Sequence, residues 1–480
     1  MPEFDLIVRG GTVVTASDQF LADIGIRAGR IAAIADRLEG GPEIDATGLF
    51  VMPGGVDSHC HIEQLQDGGG ADEETFLTGS TAALAGGTTS VVTFSTQFKG
   101  GGVLAPLAEY RRRAAAGAMV DYAFHQIITD ATEAVIRTEL PELVASGVRS
   151  LKVFLTYDPL RLDDREYLEV LSAARRLGCL VTVHCENYDA IAWRSKALLA
   201  DGRTAAKYHA WSRPEVVERE ATHRAIALAE LVDTPIEVFH VSGSQAAEEI
   251  ARAQRRGVKV WGETCPQYLV LTAEDMDRPG FEGAKFMCSP APRDAAGTAA
   301  LWEAIRLRTL EVISSDHSGW CYDGARGKRA GGDDAPFTKI PNGVPGLAAR
   351  LPLLWSEGVA GGHITPSDFV RLTATQPAWL FGLQAKGRIA PGADADLVLW
   401  DPAKKVTITN ALMQQAIDYT PYEGKEVTGW PVATILRGQV VMKDGVVQAK
   451  PGSGRYIPVP AYDAIRPRGV LPDGFDAAAF

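Results

Sequence analysis

Between about residues 50 and 320 the chain repeats one pattern eight times: a short apolar run rich in β-branched residues, then turn residues, then apolar positions at helical spacing. The runs are FVMPGGVDSHCHI, TTSVVTF, VDYAFHQII, VRSLKVFLT, CLVTVHC, PIEVFHVS, KVWGETC and LEVISSDHS. Strands that alternate with helices predict parallel pairing through crossover connections, and eight such units predict a closed (β/α)8 barrel. In that fold the chemistry sits at the C-terminal ends of the strands. His59, His61, Lys152, His184, His240 and Asp316 all fall late in their runs.

The two ends of the chain read differently. DLIVRGGTVV, ADIGIRAGRIAAI, ADLVLWDP and VATILRGQVVMKDG are short strand-like runs separated by Gly, Pro and Asp. They predict a small β-sandwich built from residues 1–52 and 386–450, with a barrel of residues 53–385 inserted between them. Residues 451–480 are rich in Pro and Gly without periodicity and predict an irregular tail, whose scattered Tyr, Ile and Val suit docking on a neighbouring subunit.

Composition narrows the function classes. With 480 residues, 46% of them hydrophobic and 22% charged, a large core is feasible. A net charge of −12 with no basic stripe argues against nucleic acid as a partner. MPEFDLIVRGG has no signal-peptide pattern and no apolar run is long enough to span a bilayer, so the expectation is a cytoplasmic protein without a membrane partner. The six cysteines are scattered and form no C-x-x-C pair, which reads as reduced thiols. Cys60 and Cys185 neighbour candidate histidines, but strand alternation turns them to the opposite face.

His59 and His61 are two apart on a strand, so both imidazoles project from one face and suit a single metal ion. Histidines at the ends of three barrel strands, with an aspartate ending the last, make a joint case that no single histidine makes. Zinc fits these donors, and manganese, nickel, cobalt or iron accept similar ones. Lys152 lies within the apolar run SLKVFLTY, where desolvation disfavours its ammonium and leaves an amine able to take up carbon dioxide as a carbamate. His125 ends the third run with no companion and reads as a packed barrel residue. His317 should point away from Asp316 and make at most a supporting hydrogen bond, and His209, His223 and His363 lie in helices or loops.

The motifs PGGVDSHCHI, GGTTSVV, SLKVFLTY, VHCENYD, SRP with EREATHRAI, ETCPQYL, CSPAPR, SSDHS, PNGVPG and GADADLVLWDP carry a resemblance. The chain resembles the cyclic amidohydrolases of the amidohydrolase superfamily, and most closely their dihydropyrimidinase and hydantoinase branch, from the first strand to about residue 450. The resemblance implies that His59, His61 and Asp316 hold one divalent ion, that His184 and His240 hold a second, and that Lys152 bridges them as N6-carboxylysine. It further implies hydrolysis of a cyclic amide C–N bond by a hydroxide bridging the two ions. Asp316 would shuttle the proton, Tyr157 would face the oxyanion, and Ser289 and Asn342 would bind the substrate through the main chain. A homotetramer or homodimer is the implied assembly.

The loop after the first strand, IEQLQDGGGADEE, departs from the pattern by offering only Leu65 as a large apolar side chain after Ile62. A more polar pocket mouth is expected there, with Phe94, Phe154, Leu160 and Trp320 as candidate apolar walls. A dihydropyrimidine or 5-monosubstituted hydantoin is the expected substrate, with a cyclic imide hydrolase, an allantoinase or a dihydroorotase as alternative enzymes. A catalytically inactive scaffold of the same fold is the non-enzymatic alternative.

Overall fold

The computed structural model describes residues 3–65 and 71–476. Five strands lead the chain: β1 Leu6–Val14, β2 Gln19–Arg27, β3 Arg30–Ala35, β4 Glu43–Asp45 and β5 Phe50–Pro53. Eight follow with helices between them: β6 Gly55–Cys60, β7 Thr88–Thr96, β8 Asp121–Ile127, β9 Ser150–Phe154, β10 Leu180–His184, β11 Ile236–Val238, β12 Val260–Thr264 and β13 Val312–Ile313. Four more come late: β14 Leu397–Thr407, β15 Glu426–Leu436, β16 Gln439–Lys443 and β17 Val446–Val447.

β6 to β13 lie side by side in sequence order and parallel, the expected barrel. The last strand is short, and the seam to the first is closed from the chain beyond it. Asp316 N donates to His59 O at 2.9 Å and His61 N to His317 O at 2.7 Å. Lower on the seam the fully buried Arg350 donates to Val56 O at 3.2 Å and Ile313 O at 3.0 Å, one carbonyl from each side. Closure thus aligns the very residues that carry the candidate ligands.

The nine remaining strands form one mixed sheet in which β14 joins β5, bringing both chain ends together around a common apolar cluster that includes Val8, Ile24, Val51, Leu397 and Ile435. The run FVMPGGVDSHCHI is two strands rather than one. Phe50–Pro53 pairs with β1 and β14, and only Gly55–Cys60 enters the barrel. Gly54 marks the break because a side chain there would collide with Thr89. A clasp of charge fastens the sheet to the barrel: Lys386 Nζ lies 2.5 Å from Asp121 on β8, 2.6 Å from Asp396 and 3.0 Å from Asp394, and Arg437 also pairs with Asp121.

The tail up to residue 476 is irregular, as expected, and lies on its own barrel. Tyr122 N donates to Arg455 O at 2.9 Å and Ile457 N to Tyr122 O at 2.8 Å. Val459 and Ile465 are buried with Phe381 in one apolar cluster with barrel residues such as Val56, Ala123 and Leu180.

Candidate active site

At the C-terminal ends of the strands a cavity of about 710 Å³ opens, and His59, His61, Lys152, Tyr157, His184, His240, Ser289, Asp316 and Asn342 all line it. Strand alternation explains the selection. On β10, His184 turns into the cavity, whereas Val181, Val183 and, just past the strand, Cys185 join the apolar core. Cys60 lies in that same core, so neither cysteine is among the candidate donors.

Asp316 Oδ1 is 3.1 Å from His59 Nε2 and 3.5 Å from His61 Nε2, and donor atoms of the three residues lie within 4.8 Å of one another. His184 and His240 meet edge to face with ring centroids 4.4 Å apart, and His59 and His240 are 5.4 Å apart. His240 Nδ1 is buried without a hydrogen-bond partner. Burial holds the His240 imidazole well below its usual range and pulls His184 down to about 4, so both offer neutral nitrogens at pH 7.

Lys152 rises between these groups from β9. Its side chain is 1% exposed, its Nζ has no hydrogen-bond partner, and the Phe239 and Phe154 rings stand 4.3 Å and 4.8 Å from it. Desolvation pulls the ammonium down to about 8, with Asp316 and Glu263 only partly opposing it. An unpartnered buried amine is costly unless something else satisfies it. Neutral imidazoles, a carboxylate and a basic amine form the donor set of a divalent metal site, and the orphaned Lys152 Nζ and His240 Nδ1 fit such a group.

Three of these residues hold left-handed backbone: Tyr157 at φ 72°, His240 at φ 40° and Asp316 at φ 46°. Non-glycine residues in that region cost about 1–3 kcal/mol each and persist only where the surroundings impose them. All three sit where a strand gives way to its loop, so the strain turns each side chain back over the barrel mouth. Burial raises the Tyr157 hydroxyl to about 12, which keeps it a donor at neutral pH.

The chain matches the model of the amidohydrolase family over residues 50–441. It belongs to that family. It is 42% identical to D-hydantoinase of Rhizobium radiobacter over 455 residues, covering 94% of this chain and 98% of that one. It is also 42% identical to D-hydantoinase of Geobacillus stearothermophilus over 464 residues, covering 96% and 97%. The solved dihydropyrimidinase from Brevibacillus agri NCHU1002 superposes with a TM-score of 0.92 at 40% identity, covering 95% of this chain and 99% of that one. These relatives lie in the branch that the motifs resemble.

Within this amidohydrolase site several partners escaped the sequence reading. Glu263, fully buried, accepts from His59 Nδ1 at 2.7 Å and from His240 N at 3.1 Å. Glu186 contacts His184 Nε2 at 2.8 Å and Arg213 Nη1 at 2.5 Å, and His61 Nδ1 contacts Gln64. Although burial opposes ionisation, Arg213 and His184 hold the Glu186 carboxyl down at about 2. Glu186 and Glu263 stand inside quoted motifs, and Glu186 shares the inward face with His184 at a spacing of two. Spacing alone did not mark them, because Glu263 meets His59 from another strand and the charged partner of Glu186, Arg213, comes from a distant loop.

Phe94 is not a pocket wall: it stacks beneath His61 at 4.5 Å and packs against His125 and Phe239 inside the barrel. Leu65, Phe154, Leu160, Ile191 and Trp320 supply the apolar lining instead. Gln66–Gly70 of the loop expected to be polar lie outside the described residues. His125 is bonded to Ser150 Oγ and Ser58 O, and burial lowers it to about 3, a packed neutral residue. His317 makes supporting contacts, accepting from Gly346 N at 3.1 Å and approaching Glu74 at 3.4 Å. A second acidic trio, Asp121, Asp394 and Asp396, surrounds the Lys386 ammonium and is therefore a salt-bridge cluster. Among the described residues, no helix is long and apolar enough to cross a membrane.

Proposed function

We propose that this chain hydrolyses a cyclic amide C–N bond in a dihydropyrimidine or 5-monosubstituted hydantoin, giving the ring-opened N-carbamoyl product. The observation that carries the reading is the buried, unpartnered Lys152 amine set among four imidazoles and Asp316. The names of the relatives, D-hydantoinase and dihydropyrimidinase, support the same bond.

His59, His61 and Asp316 would hold one divalent ion and His184 and His240 the other, with Lys152 as a carbamate from carbon dioxide between them. Zinc is the ion proposed. Such a pair lowers the pKa of water towards neutrality and polarises the amide carbonyl. Asp316 Oδ1 faces the two imidazoles, and its second oxygen takes the proton from the attacking water and returns it to the departing ring nitrogen. Tyr157 donates its hydroxyl to the oxygen that gains charge, a contribution of about 3 kcal/mol for one such donor. The loops bearing Ser289 and Asn342 bind the alternating carbonyl and N–H groups of the ring through main-chain atoms. The apolar lining of Leu65, Phe154, Leu160 and Trp320 favours an apolar exocyclic group.

The strands of residues 1–52 and 386–450 are proposed as one domain and residues 53–385 as the catalytic barrel. The enzyme is proposed to be cytoplasmic, in keeping with six buried unpaired thiols, and to assemble as a homotetramer. The test is a panel of dihydrouracil, hydantoin, phenylhydantoin, succinimide, allantoin and dihydroorotate assayed with zinc- and bicarbonate-reconstituted protein. Turnover of the first three with about two metal ions bound per chain is expected. Activity confined to the last three would replace the substrate assignment, and absence of both metal and turnover would make the chain a scaffold.

A further inference from the structure

We infer that Lys328, which lies outside the cavity lining, is a positioning residue that locks the two substrate-binding loops into one unit. The inference rests on the reading that the Ser289 and Asn342 loops hold the substrate.

Lys328 is fully buried, and its Nζ donates to Met287 O at 3.2 Å and to Pro341 O at 2.9 Å. Met287 lies two residues before Ser289, and Pro341 lies immediately before Asn342. The same Met287 carbonyl accepts from Gly343 N at 3.0 Å, so three loop segments converge on one point. Neither loop is in a strand, so beside that single backbone bond a side chain supplies the further ties between them. The ammonium supplies several donors from one atom, which suits two carbonyls arriving from different directions.

The rest of the cradle follows the same plan. His209 Nε2 engages Cys288 O at 2.9 Å and Tyr268 Oη donates to Pro290 O at 2.9 Å, so the carbonyls of residues 287, 288 and 290 are all held. Among the described residues, no donor engages the Ser289 carbonyl between them, and the Asn342 side-chain oxygen is likewise unpartnered. Both residues line the cavity. The polar groups left over are those that a ring amide would use.

Lys328 is itself delivered by a folded loop. Lys328 N donates to Cys321 O at 2.9 Å, Gly327 passes so close to that carbonyl that a side chain would collide with it, and Tyr322 N is tied to Asp418 at 2.5 Å. Burial pulls the amine down to about 7, so the site tolerates the neutral form, which still donates twice. A lysine kept buried at that cost while its hydrogen bonds all go to two binding loops is a device for holding those loops.

The test compares Lys328→Met and Lys328→Gln with wild type, all in the metal-reconstituted enzyme, using dihydrouracil, its ring-N-methylated form and phenylhydantoin. The Met variant keeps the bulk and loses the donors, and Gln, whose amide still donates, covers the case in which Met prevents folding. Expected are a KM raised at least tenfold in the Met variant and less in the Gln variant, a kcat within about threefold of wild type, and unchanged metal content. Wild-type KM in both variants would overturn the inference, as would a fall in kcat that tracks lost metal. If methylating the ring N–H that the loop carbonyls would accept leaves wild-type KM unmoved, the substrate-loop reading itself fails; if methylation raises KM while both Lys328 variants do not, only the positioning role fails.

Discussion

Replacing Glu263 by Gln isolates a contribution that no spacing in the sequence announced. Glu263 Oε1 accepts from His59 Nδ1 at 2.7 Å and from His240 N at 3.1 Å, while Oε2 is buried without a partner. The first contact places a His59 proton on Nδ1 and points Nε2 toward Asp316, 3.1 Å away. A glutamine fits the same space with its amide oxygen at Oε1 and its NH2 group at Oε2, so both donors keep an acceptor. What disappears is the negative charge that makes His59 a stronger donor to a metal ion. Loss of such an outer partner lowers metal affinity or activity by about 10–100-fold, equivalent to about 1.4–2.8 kcal/mol. The assay is a competitive zinc titration against a chromophoric chelator, with thermal unfolding of the metal-free protein as the control for the fold. Affinity within twofold of wild type, with the fold intact, would show that the Glu263 charge does not tune the site.

Tyr157→Phe keeps the ring contacts with Phe154 and His184 and removes only the hydroxyl, so kcat should fall about 10²–10³-fold with metal content unchanged; a steady-state kcat near wild type would end the oxyanion role. Lys152→Ala should release metal and abolish activity, whereas Asp316→Ala should abolish turnover even where some metal remains. Metal analysis beside the rate assay separates the two, and comparable activity in either variant would refute its assignment. For Lys328, burial holds the folded amine near 7 while the unfolded amine stays protonated to about pH 10. Between those values the unfolded chain binds the extra proton, so stability rises with pH there, by at most about 1.4 kcal/mol per pH unit from this one group. Denaturant unfolding of the metal-free protein from pH 7 to 10 should show a steeper rise for wild type than for Lys328→Met, and parallel profiles would contradict the buried-amine account.

The strand-helix repeat was legible because a parallel strand covered on both faces must be apolar almost throughout, and such runs are written in the local sequence. The positions of His59, Lys152, His184 and Asp316 late in their runs followed from the same periodicity. Phe94 was misplaced because a strand pattern tells inside from outside but not how deep along the barrel axis a ring will lie. The division of FVMPGGVDSHCHI into two strands was hidden for a related reason: Phe50–Pro53 is apolar in either sheet, and its partners β1 and β14 come from opposite ends of the chain.

By itself the sequence determined the repeat, the inward face of each strand and the types of donor gathered at one end of a barrel, all properties set by alternation and local propensity. Only the tertiary structure decided which groups answer one another. Glu263 meets His59 across 204 positions, Lys328 spans two loops, and Lys386 clasps Asp121 across 265 positions. A hydrogen bond or ion pair depends on separations of about 3 Å in space, and chain closure brings those groups together without leaving any period in the sequence to mark them.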